Sequence, residues 1–229
     1  MPESGCISAD LFKFLKELKA HNRRDWFLKN KDRYEAEVRD PVLRLIAELR
    51  PRLSRISPHF VVDPSPSGGS MMRIYRDVRF SKDKSPYKTS VSAHFWHGHG
   101  KEGRTPAFYL HLEPDRTFLG GGVWRPDPEG VRKIREAIVT RTSAWKKAVA
   151  GRTLGTGCGM AGESLKRPPP GFDPAHPFIE DLKRKDFAIT LPLKDADMAG
   201  PKASDVVADG LKSAAPFIRF VTEALGLPF

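Results

Sequence analysis

The sequence predicts an α+β fold, with an antiparallel sheet of four to five strands packed by N-terminal and C-terminal helices. Two changes of hydrophobic period carry that prediction. Apolar residues recur at helical spacing before Pro58, alternate with polar ones from Met71 to Trp124, and return to helical spacing afterwards. A third observation sets the domain count. The 229 residues contain no internal repeat and no linker long enough to divide them. One domain is therefore expected over 1–229: helical 1–57, sheet 71–125, and mixed helix, loop and strand 127–229.

Taken in order, Leu11, Leu15 and Leu18 set the stripe of a first helix. Asp25 is placed to cap a second, whose inner face carries Phe27, Tyr34 and Val38. Asp40-Pro41 joins a capping residue to a proline at the first helical position. It should open a third helix through Val42, Leu45, Ile46, Leu49 and Leu53. Pro58 to Ser70, rich in Pro, Ser and Gly, is a loop. Four alternating segments follow, Met71 to Phe80, Tyr87 to Trp96, Ala107 to Glu113 and Thr117 to Trp124, joined by short turns into a meander.

Beyond the meander, Asp127-Pro128 caps a long helix that buries Val131, Ile134, Ile138, Trp145 and Val149. The stretch from Gly151 to Asp173 is irregular and includes three consecutive prolines, Pro168 to Pro170. A short helix around Phe178 to Arg184 and a strand from Phe187 to Leu191 come next. A C-terminal helix through Val206, Leu211, Ile218, Val221 and Leu225 is expected to be interrupted at Pro216.

Composition narrows the function classes. There are 39 Lys+Arg against 28 Asp+Glu, a formal charge of +11. No apolar run approaches the roughly 20 residues that cross a bilayer, and no signal-peptide pattern stands at the start, so no membrane partner is expected. The two cysteines, Cys6 and Cys158, do not make a disulfide scaffold, and a cytoplasmic protein is expected. Between Lys13 and Arg55, 13 basic residues interleave with the apolar stripe and 7 acids, as on a solvated helix face.

The segment Arg73 to Lys88 resists that explanation. It carries six basic residues and two acids, Asp77 and Asp83. If Phe80 faces Tyr87, Ile74 lies opposite Ala93 and Met72 opposite Phe95. On the polar face Arg79 then lies opposite Lys88, Asp77 opposite Ser90, and Arg73 opposite His94. Like charges so placed destabilise a sheet. Three kinds of partner would compensate them: an anionic ligand bridging the cations, acids from the helices such as Asp32, Glu35 or Glu37, or water. The candidate ligand-binding residues are Arg73, Asp77, Arg79, Lys82, Lys84, Tyr87 and Lys88. Asp77 is also the candidate to orient Arg79 or to act as base.

These residues also carry a resemblance. Asn22-Arg-Arg-Asp-Trp-Phe27, the whole segment Arg73 to Thr89, Gly121-Gly-Val-Trp-Arg-Pro126 with Ile134-Arg135, and Leu165 to Asp173 with His176-Pro177 and Leu182 to Phe187 together resemble a widespread bacterial and fungal family. It is catalogued as domain of unknown function 2461. The resemblance spans nearly the whole chain and implies one soluble α+β domain. It supplies no activity and no catalytic residue. The family tends to place Asn where Arg23 stands here.

Other motifs are weaker. Gly157-Cys-Gly-Met-Ala-Gly162 matches a dinucleotide fingerprint by letter, but it follows a helix end and runs into Pro168, so no cofactor is expected. Cys158 has no activating base beside it. His94, His97 and His99 lack the neighbours of a native metal site, and none is expected. His111 and Glu113 share a strand face with Tyr109, as an acid/base pair or as polar decoration of an edge strand. Gly120-Gly-Gly122 marks a close backbone approach or an anion nest.

Three functions remain. The first is binding of an anionic, phosphate-bearing or similar small ligand at the basic hairpin, with Arg73, Arg79 and Lys88 neutralising it, Lys82 and Lys84 closing over it, and enzymatic action on it as an extension. The second is a nucleic-acid-binding module. The third is a structural or interaction protein in which the charges form an internal ion-pair network. Oligomeric state and reaction class are not legible.

Overall fold

The structure is a computed structural model and describes residues 7–100, 104–150 and 158–229. Helix α1 (Ala9–Ala20) begins where the Ser8 hydroxyl accepts the Asp10 N–H, and it buries Leu11, Phe12, Phe14, Leu15 and Leu18. Short helices α2 (Arg24–Lys29) and α3 (Lys31–Tyr34) follow, then a π-helical turn over Glu35–Arg39 and helix α4 (Asp40–Ile56). Phe27, Tyr34 and Val38 are buried, as are Val42, Leu45, Ile46, Leu49 and Leu53.

The two caps expected before Pro58 are corrected. Asp25 lies inside the first turn of α2, after Arg23. Asp40 is already helical, with φ −66° and ψ −40°, and its carboxylate accepts from Arg39 Nε at 2.9 Å. The chain therefore does not stop before Pro41. The widened turn sits directly ahead of the proline, where the missing N–H breaks the regular ladder anyway.

Strands β1 (Val91–Trp96), β2 (Ala107–Leu112), β3 (Phe118–Val123), β4 (Gly159–Ala161) and β5 (Phe187–Pro192) form one antiparallel sheet in the order β1-β2-β3-β5-β4. Register assigns the two faces. Val91, Ala93 and Phe95 lie beside Leu112, Leu110 and Phe108, and this row continues through Leu119, Gly121 and Val123 to Leu191, Ile189 and Phe187. The opposite face carries Ser92, His94 and Trp96, then His111, Tyr109 and Ala107, then Phe118, Gly120 and Gly122.

The apolar face is covered by the C-terminal helix, preceded by α5 (Pro128–Thr140), α6 (Thr142–Ala148), α7 (Ile179–Leu182) and α8 (Asp195–Met198). That helix, α9 (Ala203–Ala224), buries Val207, Leu211, Phe217, Ile218 and Val221. It approaches so closely that a Cβ on Gly121 would stand 2.1 Å from Ile218 Cδ1, and one on Gly210 2.2 Å from Leu119 Cδ1. Each partner gives up a side chain to the other. The helix is not interrupted at Pro216. Lys212, the residue four earlier, is exposed, so water can take the hydrogen bond that the proline cannot donate. Asp127 caps α5 as expected, accepting the Gly130 N–H at 2.7 Å. The expected long helix breaks at Arg141 into α5 and α6. No helix among the described residues is long and apolar enough to cross a membrane.

The largest correction concerns Met71 to Phe80. It is not a strand but a loop, touching its neighbour through isolated bridges, Met71 to Ala93 and Tyr75 to Tyr87. The expected register, with Ile74 against Ala93 and Phe80 against Tyr87, does not form, so Arg79 does not face Lys88. Burial decides the outcome. Ile74 and Tyr87 are 5% and 3% exposed, whereas Phe80 is 95% exposed. Tyr87 stacks on Phe27 at 4.1 Å between ring centroids. The Asn22 amide grips its backbone on both sides, donating to Tyr87 O at 2.9 Å and accepting from Tyr87 N at 3.1 Å.

Candidate functional site

Within the loop, charges are paired locally. Asp77 chelates Arg79, with Nε to Oδ1 at 2.9 Å and Nη2 to Oδ2 at 2.7 Å. The side-chain hydrogen bond from Arg79, then the backbone one, holds the Asp77 carboxyl below its ordinary range. Arg76 pairs with Asp83, and that contact, helped by Ser85, pulls the Asp83 carboxyl far down. Lys84 Nζ donates to Val78 O at 2.9 Å. No ion pair among the described residues joins Asp32, Glu35 or Glu37 to the loop. Glu35 serves Arg39 and Lys31, and Glu37 serves Arg33.

Lys88 is different. Its ammonium donates to Arg73 O at 3.0 Å and has no carboxylate partner among the described residues. Burial, then the Arg73 charge, pushes its pKa down. Lys88 borders a groove of about 640 Å³ between the loop and one end of the sheet. Lys19 and Asn22 enter this groove from α1 and the turn after it, Arg76 and Asp77 from the loop, and His111, Glu113 and Arg116 from β2 and the turn that follows. Of the residues expected at a site, Asp77, Tyr87 and Lys88 line it. Arg73, Arg79, Lys82 and Lys84 lie outside its lining.

The polar face of the sheet supplies a hydrogen-bonded chain beside this groove. Tyr109 donates to Ser92 Oγ at 2.8 Å, Ser92 Oγ meets His111 Nδ1 at 3.2 Å, and His111 Nε2 meets Glu113 Oε2 at 3.1 Å. Arg116 lies 3.7 Å from Glu113, and Phe118 stacks on the imidazole at 4.7 Å. If Nε2–H donates to Glu113, Nδ1 is left to accept from Ser92; the tautomer is assigned from this network. Burial, as the first cause, raises the Tyr109 pKa and keeps the hydroxyl neutral. Chemically, the chain can hold a proton at His111 and pass one along Ser92 and Tyr109.

Of the three histidines at the β1 end, His97 and His99 stand ring to ring at 5.1 Å and His94 lies apart. His97 is buried and its Nε2 meets Pro228 O at 2.9 Å, while His94 lies on the polar sheet face. No group of three or more His, Cys, Asp or Glu among the described residues is placed to hold a metal ion. Gly159–Ala161 is edge strand β4, followed by Gly162 at φ +93° rather than by a helix N-terminus. Gly157 and Cys6 lie outside the described residues. Burial raises the Cys158 thiol pKa, the reverse of activation.

A family model described as Conserved hypothetical protein (DUF2461) matches residues 10–220. The chain belongs to this family. Comparison with curated proteins gives no match, and neither does comparison with solved structures.

In this DUF2461 chain the residues missed by sequence reasoning are Lys19, Asn22, Ser92 and Arg116. Asn22 opens the first motif shared with the family, and its bidentate grip on Tyr87 is the contact that seats the basic loop. Ser92 was legible in principle, because it alternates onto the face of His94 and pairs in register with His111. Lys19 and Arg116 carry no local signal. They reach the groove through the packing of α1 and the turn after β2.

Proposed function

We propose that this protein binds a small anion of the phosphate class in the groove between the basic loop and the sheet. Lys88 carries the proposal: a partly desolvated ammonium, flanked by the positive charge of Arg73, facing a groove with only a carbonyl as partner. An anionic oxygen would supply the missing counter-charge. Lys19 adds a cation from α1, and Arg116 adds one that Glu113 partly balances at 3.7 Å. Arg76 and Arg79 are already neutralised by Asp83 and Asp77, and in this reading they stiffen the loop. Arg73, Lys82 and Lys84 contribute long-range attraction, which salt screens. His111, held by Glu113, is the group that would move a proton if the ligand is also transformed, in place of Asp77.

Titration calorimetry with inorganic phosphate and pyrophosphate tests this. Wild type should bind, and Lys88→Met should weaken binding by about ten- to a hundredfold, as expected for one charge-assisted hydrogen bond. Equal affinity in the two proteins would overturn the reading.

One observation favours a second reading, single-stranded nucleic acid. Tyr75 and Phe80 are exposed, at 56% and 95%, among the cations of the loop. Nucleic-acid affinity would fall by orders of magnitude between low and moderate salt. Negligible binding at low salt removes this reading.

A further inference from the structure

We propose that the ligand carries a planar aromatic ring beside its anionic group, and that the ring lies in a trough on the uncovered face of the sheet. The inference rests on the groove reading above and names the class of molecule: a ring-bearing phosphate monoester.

The trough measures about 490 Å³ and lies over the centre of the sheet. Its floor is nearly bare of side chains, because Gly120, Gly122, Ala107 and Ala188 fall on that face in neighbouring positions of β2, β3 and β5. The same strands carry Phe108, Leu119 and Ile189 on the core side. Its walls are rings, those of Tyr109, Phe118 and Trp124, and Trp124 is 50% exposed. A flat apolar floor between aromatic walls accepts a planar body in van der Waals contact with the backbone, and stacks it at the edges.

The trough is continuous in chemistry with the groove. Arg116 lines both. Tyr109 lines the trough and His111 the groove, and they are two residues apart on one face of β2, about 6.5 Å along the strand. Ser92 bonds to both. One small molecule therefore spans the two, with its ring over Gly120 and its charge toward Arg116 and Lys88. That charge complementarity separates this occupant from a purely apolar one.

A nucleoside monophosphate and a simple aryl phosphate share this chemistry, so the experiment uses both. Inorganic phosphate, adenosine monophosphate and phenyl phosphate are titrated into the full chain, followed by calorimetry and by tryptophan fluorescence. At least one ring-bearing phosphate should bind tenfold or more tighter than inorganic phosphate and perturb the Trp124 emission. Tighter binding of the nucleotide alone assigns the nucleoside source; similar binding of both assigns the ring itself. Thr190→Trp fills the trough opposite Gly120 and should abolish the tenfold advantage while leaving phosphate affinity unchanged. Trp124→Ala, at the exposed rim, should reduce it independently if the first variant does not fold. Phosphate binding with no gain from either ring overturns this inference and leaves the groove reading standing. Absence of binding by all three ligands overturns both.

Discussion

The two faces of the sheet are built from the same strands and obey different rules. On β1, Val91, Ala93 and Phe95 are at most 3% exposed and belong to the buried apolar core. Their neighbours Ser92 and His94 point the other way, into a surface of hydrogen bonds, rings and glycine. The covered face is specified by apolar volume, and the other by polar pairing. The difference teaches where to look for function. That face buries Trp96, Ala107 and Ala188 at one end and holds Tyr109, Ser92, His111 and Glu113 in a connected chain at the other, where it is free to be organised around a ligand.

Substitutions on either side should break the comparison most visibly. Phe95 is fully buried, and Phe95→Ala should cost about 3–5 kcal/mol in urea unfolding. Thr190→Ala, on the uncovered face, should stay within about 0.5 kcal/mol. Equal losses would mean that both faces are packed and that the trough is not a ligand site.

A smaller effect concerns His94, on the uncovered face beside Phe95. Burial lowers its pKa below that of a free imidazole, about 6.5. The unfolded chain thus takes up the proton first as pH falls. The stability associated with a neutral His94 is complete above pH 6.5 or so and declines as pH drops from there through the lowered folded value. The stability advantage of wild type over His94→Gln should therefore shrink between pH 7.5 and 5, measured by denaturant unfolding at each pH. A constant difference would place the imidazole in water.

How much of this was legible depends on whether the deciding contacts are local. Leu11, Leu15 and Leu18, or Val42 to Leu53, follow from periodicity because a helix presents one face whatever it packs against. Alternation likewise marked β2, β3 and β5. It failed from Met71 to Phe80, because the same residues satisfy a turn. Arg79 folds back on Asp77 through both its backbone N–H and its guanidinium, an i to i+2 contact that a strand would place on one face as well. What settles the choice is Asn22, 65 residues away from Tyr87. Of the candidate site, His111 and Glu113 were visible as neighbours on one strand face. The link to Ser92 required the β1–β2 register, and Lys19 required the packing of α1.

The smallest expected effect separates the two registers directly. Beyond β1 the contrast of faces continues into the loop, with Ile74 turned inward and Phe80 outward. The ring of Phe80 has the Arg79 guanidinium over it at 5.8 Å, an exposed cation–π contact of small value. Phe80→Ser should therefore shift stability by less than about 0.5 kcal/mol, the range of ordinary surface substitutions. In a regular hairpin with Phe80 packed against Tyr87, the same change would cost several kcal/mol, as for any buried phenylalanine. Ile74→Ala provides the internal control. It should cost about 2 kcal/mol or more, since Ile74 is buried on the side that Asn22 and Tyr87 hold down. Comparable losses at both positions would restore the strand reading of this segment and move Arg79 back opposite Lys88, closing the groove that the anion needs.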